Sequence, residues 1–147
     1  MNSVTRISES RVIAKPIGEL WRRAIAPLDF KFWTSAVSES ALSGGSAAEL
    51  GSQRIVTFKD GSVQRFQLVE ISSLHHRITY ELIESTPAVR MSAALHTISL
   101  EQVTHDNSTF IRWESEFSSS GEHTAAVVED SRLKKKEALD DLVRYLG

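Results

Sequence analysis

The residue best suited to move a proton in this sequence is His96, whose neighbours two residues away on either side are apolar. Such alternation predicts a strand with His96 on an apolar face. If this strand pairs with the next one through a turn centred near Asp106, Glu116 lies opposite His96 and Glu114 lies diagonal to it. A histidine beside a carboxylate in a dry cavity can act as a general base, so we predict His96 and Glu114 as catalytic residues. The alternative is a structural histidine whose hydrogen bonds are satisfied within the protein.

Other well-known chemistries have no motif in this sequence. It contains no G-x-S-x-G nucleophile elbow, no G-x-G-x-x-G dinucleotide fingerprint and no G-x-x-x-x-G-K-[ST] phosphate loop. The five histidines lack the spacing of metal ligands, and no cysteine is present to bind zinc or form a disulfide. We therefore expect no metal and no cofactor.

The composition is that of an ordinary globular domain. With 147 residues, 41% hydrophobic and 24% charged, residues 1–147 are expected to form a single domain with a sizeable core. The net charge is −2, so no nucleic-acid partner is predicted. No apolar run approaches the roughly 20 residues of a membrane span, and no signal-peptide pattern begins the chain. We expect a cytoplasmic protein that is a monomer or a homodimer.

The N-terminal part predicts one strand followed by two short helices. Arg6–Ile13 alternates as a strand does, and Pro16 suits the start of a helix. The helix that follows has an apolar stripe formed by Ile17, Leu20, Trp21, Ala24 and Ile25. Pro27 ends it, and Leu28–Trp33 is predicted as a second short helical turn.

Six further segments have the residue types of strands: Ala36–Leu42, Arg54–Lys59, Val63–Ile71, Arg77–Glu84, Met91–Val103 and Phe110–Phe117. All the connections between them are short, which favours an antiparallel meander. A three-residue loop at Asp60–Ser62 would keep Phe58 and Gln64 on one face, whereas a two-residue turn would invert the second strand.

The long helix predicted over Glu122–Leu146 is firmly apolar only in its C-terminal half. One helix across one sheet covers part of the concave face, so we expect a cavity in the remaining space. Lys135 falls on the apolar stripe of this helix, within a run of three lysines. It is either part of a solvated charged face or a residue that reaches the cavity mouth and binds an acid group.

Six segments occur in the order of a known superfamily: Val12–Trp21, Gly51–Arg54, Lys59–Gly61, Ile78–Tyr80, Arg112–Phe117 and Leu139–Leu142. The sequence resembles the helix-grip (SRPBCC) superfamily, which includes START lipid-transfer domains, birch-pollen-allergen-type proteins, plant abscisic-acid receptors and bacterial polyketide cyclases/dehydrases. The short Lys59–Ser62 connection lacks the gate loop of the hormone receptors, so the resemblance is strongest to the cyclase/dehydrase branch. It implies an α+β fold in which a seven-stranded antiparallel sheet wraps around a long C-terminal helix, with two short helices after the first strand.

The resemblance also implies which side chains face the cavity. Carried over onto this sequence, they are Arg54, Val56, Phe58, Gln64, Phe66, Leu68, Tyr80, Leu82, Ala94, His96, Ile98 and Glu114, with Trp33 at the entrance. Plain alternation along the last strand instead places Trp113 inward and Glu114 outward. A bulge near Ser115 would reconcile the two predictions.

A helix-grip cavity implies binding of a small hydrophobic molecule such as a lipid, a polyketide or an aromatic metabolite. The first alternative is a polyketide cyclase or dehydratase that uses the same cavity. The second is a protein-interaction module, which would have a sealed interior and an exposed apolar patch. The fold alone does not choose among them.

Overall fold

One sheet and one long helix account for most of the chain. The computed structural model describes residues 3–89, 92–119 and 121–147. In chain order the elements are β1 (Ser3–Ile13), α1 (Ile17–Leu20) continuing as a π-helical turn (Trp21–Ile25), β2 (Val37–Gly44), β3 (Gln53–Phe58), β4 (Val63–Ser72), β5 (Arg77–Thr86), β6 (Ser92–Val103), β7 (Ser108–Ser119) and α2 (Gly121–Leu146).

The seven strands form a single antiparallel sheet in the order β1-β7-β6-β5-β4-β3-β2. Strands β2 to β7 follow one another as the predicted meander, and β1 pairs with β7 at the far edge. The predicted helix-grip fold is therefore confirmed. Met91, the expected first residue of the sixth strand, lies outside the described residues.

The prediction of a second short helix at Leu28–Trp33 is wrong. This segment is irregular, with one turn at residues 31–32, and Leu28 and Phe30 have positive φ angles of 51° and 55°. Leu28, Phe30 and Phe32 are all buried. In a helix, residues two apart point in opposite directions, so one helical turn on the surface could not bury all three. The irregular path delivers each of these side chains to the core.

The β3–β4 hairpin keeps its predicted faces with a slightly different loop. The N–H of Phe58 donates to the carbonyl of Ser62 at 2.8 Å, so the three-residue loop is Lys59–Gly61, not Asp60–Ser62. Gly61 occupies the left-handed region with φ of 90°, as such loops require. Because the loop still has three residues, Phe58 and Gln64 point to the same face.

Helix α2 packs on the concave face of the sheet, mainly against β1 and β7. Its buried residues all lie in the second half of the helix and are Lys135, Ala138, Leu139, Asp141, Leu142 and Leu146. Each buried leucine contributes about 1.5–3 kcal/mol of transfer free energy. In the first half, Val127 and Val128 are only half-buried. The helix is thus held at its C-terminal end and covers the sheet less completely elsewhere.

Asp141 joins α2 to the segment that leads into β2. Its carboxylate accepts hydrogen bonds from the Ser35 N–H at 2.8 Å and from the Ser35 hydroxyl at 2.9 Å, and it also pairs with Arg144. Burial by itself would raise the pKa of Asp141, but the hydrogen bonds from Ser35 and Arg144 outweigh it and lower that pKa.

Among the residues that the structure describes, neither α2 nor any shorter helix has the length and hydrophobicity of a membrane span.

Candidate ligand-binding cavity

A cavity of about 550 Å³ lies between the sheet and the middle of α2. Its apolar wall includes Phe30, Trp33, Phe58, Phe66, Leu82 and Trp113. Its volume is within the range of about 300–1,000 Å³ that is typical of small-molecule pockets. The expectation that α2 leaves part of the concave face uncovered is therefore met.

The structure brings together seven of the residues predicted for the site. Strands β3 to β6 and the segment before β2 place them along the cavity wall: Trp33, Phe58, Gln64, Phe66, Tyr80, Leu82 and His96. Their side chains share the concave face because each strand alternates in register with its neighbour.

Four predicted residues point inward but do not line the cavity. Val56, Leu68 and Ile98 belong to the main hydrophobic core, where α1 and the end of α2 fill the other end of the concave face. Ala94 packs in a small separate cluster with Ile7 and Phe117. The prediction placed these residues correctly on the concave face. It could not show that the protein's own side chains fill part of that face.

Arg54 is also held away from the cavity. Its guanidinium donates to the Ser40 hydroxyl and to the Pro27 carbonyl, both at 3.2 Å. Burial lowers the pKa of Arg54, while the charge of Asp29 opposes that shift. Arg54 thus has a structural role near the β2 edge of the sheet, contrary to the ligand contact predicted for it.

The predicted pairing of His96 with Glu114 or Glu116 is wrong. Ser115 lies opposite His96, and Glu114 lies on the outer face with its carboxylate 3.9 Å from Arg112. The β6–β7 turn is centred half a residue earlier than expected, which shifts the pairing by one residue and exchanges the faces. The pairing of β7 with both neighbouring strands is continuous at Ser115, so the bulge that would have turned Glu114 inward is not present there.

His96 is held as a neutral group in the cavity wall. Its Nδ1 lies 2.6 Å from the Ser115 hydroxyl oxygen, and its ring stacks on Tyr80 with centroids 4.9 Å apart. Burial, and secondarily the charge of Lys135, lower the pKa of His96 to about 3. An imidazole with so low a pKa is a weak base at neutral pH. The expected acid–base pair is not assembled.

Trp113 is a central cavity residue that the set implied by the resemblance did not include. Its indole N–H donates to the Tyr80 hydroxyl oxygen at 3.1 Å, and its ring contacts Phe30 and Trp33. Burial raises the pKa of Tyr80, which stays a neutral phenol. The alternation of apolar residues along β7 did indicate Trp113, because it predicted the inward face of this strand correctly.

Lys135 reaches the cavity from α2, so the interpretation that it belongs to a solvated charged face is wrong. The residue is 5% exposed, and its Nζ lies 5.6 Å from the centroid of the Trp113 ring. The ammonium donates to the Ser131 hydroxyl at 3.0 Å. Burial lowers the pKa of Lys135 to about 8; Glu9 opposes this shift, and the neighbouring cations add to it.

Within the described ranges, no three His, Asp or Glu side chains come together as possible metal ligands. The mouth of the cavity carries charges of both signs, from Lys59, Asp60, Asp130 and Lys134.

A curved antiparallel sheet around one helix, with an apolar cavity between them, defines a helix-grip protein. Residues 4–147 match the family described as polyketide cyclase / dehydrase and lipid transport, and the chain belongs to this family. Among curated proteins, none matches the sequence significantly.

Solved structures show the same fold at low sequence identity. A protein of Nitrosospira multiformis is 23% identical, with a TM-score of 0.83 and 97% of each chain covered. The major latex-like protein 151 of Panax ginseng is 9% identical, with a TM-score of 0.81 and 98% of each chain covered. Norcoclaurine synthase of Thalictrum flavum, in complex with dopamine and hydroxybenzaldehyde, is 15% identical with a TM-score of 0.74; the match covers 99% of this chain and 87% of that one.

Proposed function

We propose that this protein binds a small hydrophobic molecule in the cavity between the sheet and α2. The observation that carries this proposal is a cavity of about 550 Å³ with six aromatic side chains in its wall. Apolar walls in contact with water are unfavourable, and an apolar ligand that displaces this water gains free energy roughly in proportion to the area it covers.

The polar groups within the apolar wall suit the orientation of a ligand more than bulk affinity. Gln64, Tyr80, His96 and Lys135 interrupt this wall, as polar groups do in most small-molecule sites. The family description includes lipid transport, and the synthase of Thalictrum flavum holds two aromatic molecules. A lipid, a polyketide or an aromatic metabolite therefore remains the class of ligand that we propose.

Binding takes precedence over the two alternatives for physical reasons. A cyclase or dehydratase that uses His96 and Glu114 lacks its carboxylate, since Glu114 lies on the outer face beside Arg112. A protein-interaction module would have a sealed interior, whereas this interior contains an open cavity. The same cavity still suits a substrate, so turnover of any bound compound would revive the enzyme alternative with different catalytic residues.

The first prediction is that filling the cavity abolishes binding. Leu82 lines the cavity, and Leu82→Trp places an indole in the space that the ligand needs. We expect the neutral polarity-sensitive dye Nile red to bind the wild type and to bind Leu82→Trp at least about tenfold more weakly. Fluorescence titration measures both affinities.

Leu74→Trp is the matched control, because Leu74 is 82% exposed in the β4–β5 turn. It should bind the dye as the wild type does, and circular dichroism should show that both variants are folded. Equal dye affinity in the wild type and Leu82→Trp would contradict the proposal. Native mass spectrometry of the protein purified from its own source should in turn show a retained small molecule.

A further inference from the structure

Lys135 carries a buried positive charge that forms no ion pair with the described residues, and Glu9 is the carboxylate that acts on it. The three lysines of the run differ in this respect: Lys134 pairs with Asp130 at 2.9 Å and Lys136 is exposed, whereas Lys135 has only the Ser131 hydroxyl and the face of Trp113. An ammonium buried without an ion-pair partner destabilises a protein, because burial removes its hydration and nothing replaces it. Such a charge needs a partner of opposite sign.

The acidic residues that line the cavity already have other partners. Asp130 is engaged by Lys134, and Glu137 accepts a hydrogen bond from the Trp33 indole N–H at 3.0 Å. Asp60 accepts hydrogen bonds from the N–H and hydroxyl of Ser62 within its own turn. Glu9 on β1 does act on Lys135, but its carboxylate is already paired with Arg132 at 3.3 Å. No carboxylate of the described residues forms an ion pair with the Lys135 ammonium, so the acid group of a ligand is a suitable partner for it.

A second donor meets Lys135 at the same indole. Tyr80 accepts the indole N–H of Trp113 through its hydroxyl oxygen, and its own O–H finds no acceptor within the described ranges. Lys135 approaches the face of this Trp113 ring, and both residues line the cavity. One ammonium and one free hydroxyl donor therefore converge on one region of an otherwise apolar wall.

We propose that the ligand is a hydrophobic monocarboxylic acid whose carboxylate pairs with Lys135 and accepts a hydrogen bond from Tyr80. This proposal rests on the proposed function and specifies the ligand's polar end. A carboxylate has one negative charge and two acceptor oxygens, which matches one ammonium and one hydroxyl. A phosphate monoester carries about −1.5 to −2 charges at pH 7, so part of its charge would be buried without a partner.

The test compares probes that share one hydrocarbon chain and differ in the head group. Dodecanoic acid, 1-dodecanol and dodecyl phosphate compete with Nile red for the wild type at pH 7, below the concentrations at which they aggregate. We expect the acid to bind about tenfold or more tightly than either of the other two, because a charge-assisted hydrogen bond in an apolar site is strong. Fluorescence competition yields the three affinities.

Lys135→Met tests the assigned residue, since methionine keeps the apolar stem of lysine and removes the charge. This variant should lose the preference for the acid and bind it no more tightly than the alcohol. Lys136→Met is the matched control, because it removes the exposed neighbouring charge by the same substitution and should keep the wild-type preference. Tyr80→Phe should weaken acid binding by about threefold to tenfold, as expected for one hydrogen bond.

The outcomes distinguish the two proposals. If the alcohol binds the wild type as tightly as the acid, the carboxylate inference is overturned and the hydrophobic cavity stands. Binding of dodecyl phosphate as tight as that of the acid would overturn the preference for a single charge. If neither Nile red nor any of the three probes binds, both proposals fail. An acid preference that persists in Lys135→Met would exclude Lys135 as the partner.

Proton uptake provides an independent readout at pH 8.5. In the ligand-free protein, burial lowers the pKa of Lys135 to about 8, and a bound carboxylate would raise that pKa. The charged groups that act on Lys135 are Glu9 on β1 and, on its own helix, Lys134 and Arg132; Glu9 and Arg132 pair with each other at 3.3 Å.

Calorimetry in two buffers of different ionisation enthalpy should therefore show uptake of about half a proton or more per acid bound. His96, with its pKa near 3, does not titrate at this pH. The alcohol and the Lys135→Met variant should show no uptake. Acid binding to the wild type without proton uptake would count against an ion pair with Lys135.

Discussion

At the scale of single residues, His96 shows how burial changes the chemistry that a side chain can perform. Its ring is enclosed by Tyr80 and Ser115, and the charge of Lys135 further disfavours the imidazolium. The native protein therefore holds His96 neutral down to a pH of about 3. In the unfolded chain the same residue has an ordinary pKa of about 6.5.

This difference predicts that part of the protein's acid sensitivity comes from His96. The unfolded chain binds a proton below pH 6.5 and the native state does not, so the contribution is complete above pH 6.5 and is lost as the pH falls toward 3. Between pH 7 and pH 4 the wild type should lose on the order of 3 kcal/mol of unfolding free energy through this residue.

His96→Asn should remove this part of the pH dependence, because asparagine can contact Ser115 and has no ionisable group. Urea unfolding at pH 7 and pH 4 measures the difference. His105→Asn, in the exposed β6–β7 turn, serves as the control and should leave the wild-type slope intact. An unchanged slope in His96→Asn would contradict the assignment.

At the scale of the elements, the position of α2 decides the shape of the cavity. The apolar residues of its second half attach it to the sheet. Asp141 adds a polar attachment to the segment before β2, through two hydrogen bonds from Ser35. Ser35 itself lines the cavity, so this contact links the helix to the cavity mouth.

We expect Asp141→Ala to reduce the unfolding free energy by about 1–3 kcal/mol, because it leaves the Ser35 donors without their acceptor. Asp140→Ala is the matched control on the same helix. Asp140 is exposed and pairs with Arg11 at the surface, where an ion pair contributes about 0–1 kcal/mol. Equal losses in the two variants by chemical denaturation would show that the Ser35 contact contributes little.

At the scale of the whole molecule, the cavity makes the free protein less stable than a fully packed interior would. The protein's own side chains leave a space of about 550 Å³, and the Lys135 ammonium in its wall forms no ion pair with the described residues. A ligand that binds only the native state stabilises it by mass action. Stability of the free protein and affinity for an acid are therefore opposed at Lys135.

Lys135→Met should raise the unfolding free energy of the free protein at pH 7 by about 1–3 kcal/mol, since it removes a buried charge whose pKa is lowered to about 8. For the wild type, stability should accordingly rise as the pH increases from about 8 toward the ordinary lysine pKa. Saturating dodecanoate should raise the melting temperature of the wild type and of Lys136→Met much more than that of Lys135→Met. Thermal unfolding without the acid compares the stabilities of the free proteins, and unfolding with the acid measures the stabilisation by the ligand. A free Lys135→Met variant less stable than the wild type would contradict the cost assigned to the buried charge.

Several features followed from local patterns. Alternation and short connections predicted the strands, because side chains on a strand alternate between core and solvent. The periodic stripe that includes Leu139 and Leu142 predicted α2 and placed Lys135 among its buried positions. The inward position of Trp113 was likewise present in the alternation of β7.

Other features depended on contacts between segments that are distant in sequence. A shift of one residue in the β6–β7 pairing placed Ser115, and not Glu116, opposite His96, and no local pattern sets that register. The backbone at residues 28–33 is irregular because Leu28, Phe30 and Phe32 are all buried, which one helical turn would not allow. The cavity itself depends on how far α1, α2 and the intervening segment fill the concave face. Patterns in the chain thus predicted the elements and their faces, whereas packing between elements decided which of those faces surround a ligand.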